Sequence, residues 1–133
     1  MTTYEIDGEN FSTLEEFYDE ISRVVIPGAD WGRNLDAFND ILRGGFGTPD
    51  EGFALRWKNH AVSQQALGYE ETTRQLELML GRCHPNHRAE FRAELEDARA
   101  GRGPTVFEWL VEIIQIHGEG GGEAEDNVEL VLD

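Results

Sequence analysis

Three short runs of alternating apolar and polar residues decide what this chain can fold into. Thr2 to Asp7 sets Tyr4 and Ile6 against Glu5 and Asp7. Phe53, Leu55 and Trp57 alternate with Ala54 and Arg56, and Asn127 to Leu132 sets Val128, Leu130 and Leu132 against Glu129 and Val131. A period of two marks strands with two unlike faces. The stretches between them carry helical patterns. Strands that alternate with helices pair in parallel through right-handed crossovers. The sequence therefore predicts an α/β fold, a small three-stranded parallel sheet packed with helices. Its 133 residues suit one compact domain.

The helical stretches are punctuated by caps and breakers. Ser12 followed by Glu15 predicts a capping box, and Leu14, Phe17, Tyr18, Ile21, Val24 and Val25 give an amphipathic helix over residues 13–25 that Pro27-Gly28 ends. Asn34 is a suitable N-cap for a second helix with an apolar face of Leu35, Phe38, Ile41 and Leu42, stopped by Gly44-Gly45. Helical patterns run from Val62 to Gly68, from Tyr69 to Cys83, and from Pro85 to about Ala100. Thr105 and Glu108 predict a second capping box, opening an apolar helix through His117 with Phe107, Leu110, Val111 and Ile114 inward. Gly118 to Asp126, rich in glycine and acids, reads as a mobile loop.

Charge narrows the choice of partner. The chain holds 27 Asp and Glu against 11 Lys and Arg, a formal net charge of −16. Phosphate contacts need a basic footprint, so direct binding to nucleic acid is not expected. An acid excess speeds association with a cationic partner, although it also serves solubility alone. It is unevenly spread: residues 1–50 carry 11 acids and 3 bases, a net of −8; residues 51–100 carry 8 and 7; residues 101–133 carry 8 and 1, a net of −7. The single cysteine, Cys83, forms no intrachain disulfide. No run resembles a signal peptide or a membrane span, which suits a cytoplasmic protein.

Several motifs point to no chemistry. Cys83-His84-Pro85-Asn86-His87 matches no common zinc spacing and reads as a turn between helices, so no metal or other cofactor is expected. Gly120-Gly121-Gly122 lacks the strand-before, helix-after setting of a phosphate loop, and its acidic neighbours repel phosphate. The four histidines have no attached nucleophile motif. Trp57 and Trp109 stand on apolar elements and read as core.

The second helix carries the sharpest signal. Asp36 and Asp40 stand four residues apart, on one helical face. Asp36 lies in the first turn, where the helix dipole compensates it. Asp40 lies beyond that help, with Arg43 at i+3 as a possible counter-ion. A carboxylate offers the charge and acceptor pair that an arginine fork takes from a phosphate. Such acids can compete with RNA in a basic cleft, or they can form an ordinary solvated face. Carboxylate pairs also serve glycoside hydrolysis, but this one has no pocket motif beside it.

The run Asp30-Trp31-Gly32-Arg33-Asn34-Leu35-Asp36-Ala37-Phe38-Asn39-Asp40-Ile41-Leu42 resembles the central signature of the barstar family, the intracellular inhibitors of barnase-type ribonucleases. That signature reads aromatic-Gly-x-Asn-Leu-Asp-Ala-x-x-Asp. The resemblance extends over the first strand and helix, over Phe53 to Leu67, and over Thr105 to Leu132. Residues 69–103 have no counterpart in it and read as a helical insertion within a single domain spanning residues 1–133.

The resemblance implies an inhibitor with no catalytic residues. Its second helix and the loop before it would enter the cleft of a basic ribonuclease or ribonuclease toxin domain, as an immunity protein in a one-to-one complex. By position Asp40 matches the carboxylate that occupies the enzyme's phosphate site, and Asp36 matches a second interface acid. Asp30 and Trp31 fall where the family has two aromatics, Asn39 where it has Trp, and Arg43 where it has Thr; Gly44 is retained at the helix end. The implied partner-binding set is Asp30, Trp31, Asn34, Asp36, Asn39, Asp40, Arg43 and Gly44, with a further acid near Glu112 or Ile113. The alternative is a module of the same fold that binds a basic protein other than a nuclease.

Overall fold

The structure, a computed structural model, describes residues 1–133. Its elements run β1 (Thr2–Asp7), α1 (Leu14–Val24), α2 (Leu35–Arg43), β2 (Phe53–Lys58), α3 (His60–Ala66), α4 (Tyr69–Arg82), α5 (Arg88–Arg99), α6 (Val106–Ile116) and β3 (Val128–Leu132). The protein is thus α/β, with six helices and a three-stranded parallel sheet in the order β1-β2-β3. The register sets Ile6 beside Trp57 and Trp57 beside Leu132.

The alternation in the strands has a direct cause. Parallel sheets are commonly covered on both faces and then read as unbroken apolar runs. Here one face carries Ile6, Phe53, Leu55, Trp57 and Val128 into the core. The opposite row carries Glu5, Arg56 and Lys58 to solvent, where Arg56 pairs with Glu5 at 3.4 Å and with Asp133, and Lys58 pairs with Glu5 at 3.6 Å.

The core is aromatic at its centre. Phe17 stacks on Trp57 at 5.5 Å and meets Phe38 edge-on at 5.3 Å, while Phe107 closes on Trp57 at 5.1 Å. Elements from both ends of the sequence therefore meet on β2. The Trp57 indole N–H is satisfied by Ser63 Oγ at 3.0 Å, as a buried donor must be. A smaller cluster of Leu76, Leu95 and Ala98 joins α4 to α5, with Trp109 packed against both it and the main core. Glu71 on α4 accepts the Leu14 backbone N–H at 2.8 Å and so ties the α4–α5 hairpin to the start of α1.

Local punctuation differs from expectation at a few points. The α1 cap is Thr13, whose hydroxyl accepts from Glu16 N–H at 3.1 Å, while the Glu16 carboxylate reaches back to Ser12. The expected Ser12–Glu15 box is thus displaced by one residue. The Thr105–Glu108 box forms as predicted. Residues 118–127 are not a loose loop: Glu123 N–H donates to Ile116 O at 2.9 Å, Val128 N–H to His117 O at 2.9 Å, and Ala124–Asp126 form a 3-10 turn. Gly52 is required where β2 begins. Its φ is +97° and an added Cβ would stand 2.2 Å from Asn127 O. No helix is long and apolar enough to cross a membrane.

Candidate functional site

Helix α2 exists because its ends are defined and its inner face is apolar. Asn34 Oδ1 accepts from Ala37 N–H at 2.8 Å, and Gly44 closes the helix at φ 107°, a backbone region that glycine adopts readily. Phe38, Ile41 and Leu42 are buried, which turns Asp36 and Asp40 outward. Asp40 is 56% exposed along its side chain and meets Arg43 Nη1 at 3.2 Å. An exposed pair of this kind is worth a few tenths of a kcal/mol. It leaves Asp40 open to a better-placed arginine. Asp30 and Asn34 are also exposed. Arg33 pairs with Asp19 on α1 and holds a left-handed backbone at φ 51°.

Trp31 is turned into the protein. It is 6% exposed and belongs to the main core. Its ring meets Tyr18 edge-on at 5.4 Å, and its Nε1–H donates to Ser22 Oγ at 2.7 Å. The tryptophan that the resemblance implies as a contact residue fixes the loop onto α1. Asn39 also faces inward more than expected: its Oδ1 lies 2.6 Å from His117 Nε2.

Beneath α2 lies a cluster that no sequence motif announced. His117, fully buried at 0% exposure, places Nδ1 at 2.6 Å from Asp126 Oδ2 and 3.7 Å from Glu123 Oε2. Arg43 binds the other Glu123 oxygen through Nε at 3.0 Å and Nη2 at 2.9 Å. The Arg43 pKa is pushed up, first by this hydrogen bond and then by the Glu123 charge. Arg43 therefore joins the outer acid face to the buried cluster. On the other flank of α2, a groove lined by Leu35, Asp36, Met79, Phe91 and Trp109 separates it from the α4–α5 hairpin.

An acid-bearing helix, capped, exposed and seated on a small parallel sheet, is the outward feature of this α/β protein. The family model described as Barstar (barnase inhibitor) matches residues 1–102. The chain belongs to the barstar family. The matched span takes in residues 69–102, set aside above as an insertion, and ends before α6 and β3. A search of curated proteins finds no significant match.

Proposed function

We propose that the protein inhibits a basic, barnase-type ribonuclease by seating the exposed face of α2 and the preceding loop in the enzyme's active-site cleft. The observation that carries this reading is the outward pair Asp36 and Asp40 on a rigid helix in a chain of this family. Asp40 takes the place of an RNA phosphate against the enzyme's cationic groups, and Asp36 adds a second carboxylate. Asp30, Asn34 and Gly44 border the contact. The reading includes no catalytic step, a one-to-one complex and action in the cytoplasm. The α4–α5 hairpin stands within the same domain, beside the binding face.

Association is expected to be fast and to slow as salt rises, because the net charge of −16 acts over the Debye length. One observation favours a second reading, a module for another basic protein: Arg43 brings a cation into the acid face. Titrating the protein into a panel of guanyl-specific ribonucleases separates the two. Loss of RNA cleavage at equal stoichiometry supports inhibition. Binding that leaves cleavage intact supports the module, and turnover of a substrate by the protein itself would defeat both.

A further inference from the structure

We propose that His117, Glu123 and Asp126 form a site for one divalent transition cation of the zinc class, seated beneath α2. This site stands apart from the nuclease reading and would survive its failure.

The geometry is that of a ligand set. The three donor atoms, one per residue, lie within 4.8 Å of one another. Tetrahedral coordination at bond lengths near 2.1 Å sets neighbouring donors about 3.4 Å apart. The observed 2.6 Å and 3.7 Å from His117 Nδ1 bracket that separation, so small shifts of the two carboxylates complete it. Three protein ligands leave one position for water. An imidazole with two carboxylates suits zinc or manganese rather than the all-oxygen sets of calcium and magnesium.

The supporting shell is in place, and all of it comes from α2. A ligating histidine ordinarily donates its second ring N–H to a fixed acceptor. Asn39 Oδ1 receives His117 Nε2 at 2.6 Å, which turns Nδ1 toward the acids. Arg43 grips Oε1 of Glu123 and leaves Oε2 facing the imidazole. The loop that returns the acids to the helix end is tightly specified. A Cβ at Gly121 would stand 2.3 Å from Ile116 O, and Gly120 holds φ at +84°. The two carboxylates and Arg43 leave a local negative excess for the cation to neutralise.

The test uses the full chain, stripped with chelator and titrated with zinc chloride by calorimetry, with cobalt(II) absorption as a second probe of coordination. One ion per chain is expected, with a raised thermal midpoint. Glu123→Gln and Asp126→Asn should each weaken binding by about tenfold or more. The double variant His84→Ala, His87→Ala should bind as the parent does, which separates this site from the exposed histidines before α5. The half-exposed Glu123→Gln change keeps the test decisive should Asp126→Asn disturb folding. Absence of stoichiometric binding, equal affinity in folded Glu123→Gln, or loss of binding in the His84/His87 variant would overturn the proposal.

Discussion

Asn39 Oδ1 stands 2.6 Å from Nε2 of the buried His117, joining the middle of α2 to the end of α6 across 78 residues of sequence. Removing the acceptor leaves a buried ring nitrogen without a partner, which costs about 1–3 kcal/mol. Asn39→Ala should therefore lower the thermal and urea midpoints clearly. A midpoint equal to the parent's would show that the contact contributes nothing to stability.

Asp40→Ala should separate binding from folding. Its only side-chain partner is the exposed Arg43, so stability should change by no more than about 0.5 kcal/mol. Affinity for an inhibited ribonuclease should fall by about 30-fold or more. That corresponds to the roughly 2–5 kcal/mol lost when one member of a desolvated interface charge pair is truncated, a range measured on complexes that include barnase–barstar itself. Glu129→Ala, at an exposed position of β3, serves as the control. Equal affinities for the two variants would remove Asp40 from the interface.

Trp31 should behave as a core residue. Trp31→Ala should cost about 3–5 kcal/mol of stability, in the range of large-to-small aromatic truncations. Trp31→Phe, which keeps the packing against Tyr18 and loses the bond to Ser22, should retain inhibition near that of the parent. Selective loss of inhibition in a stable Trp31→Phe protein would return this residue to the contact surface.

Acid should destabilise the fold through two buried glutamates. At Glu20 and Glu71, burial by itself raises the carboxyl pKa. It is outweighed at Glu20 by Asp7 N–H, Arg23 and Asn10, and at Glu71 by Arg74, Leu14 N–H and Gln75. Both carboxyls end below their ordinary range. They bind protons less tightly folded than unfolded, so their contribution is whole above the unfolded pKa and drains away as pH falls toward the folded one. Glu94, raised by burial and then by Glu90, acts in the opposite sense. Thermal melts from about pH 7 to about pH 3 should show a falling midpoint. Glu71→Gln should start lower and fall less steeply; an unchanged slope would remove Glu71 from the acid response.

What the sequence disclosed was local. The Asn34 cap, the Thr105–Glu108 box and the alternating strands are fixed by residues within a few positions of each other, and each is where the pattern placed it. The α1 cap stands one residue on because Ser12 and Thr13 both bond to Glu16, while Glu15 is taken up by Arg74 and Gln75 on α4. Trp31 was unreadable because its direction is decided by Tyr18 and Ser22 on another helix. The cluster around His117 was unreadable for the same reason in stronger form. Its supports, Asn39 and Arg43, lie about eighty positions away, and nothing local to Gly118–Asp126 distinguishes a folded return from a slack one.

The anchoring of α2 bears on the lifetime of any complex it makes. Asn34 fixes its start, the core fixes its inner face, and Asn39 with Arg43 fasten its second half. Docking then has two short carboxylate arms to immobilise, at about 0.5–1.5 kcal/mol each, rather than a wandering stretch of backbone. Less of the attraction gained on contact is then spent on ordering the chain, so the proposed complex should let go more slowly than one made by a slack loop.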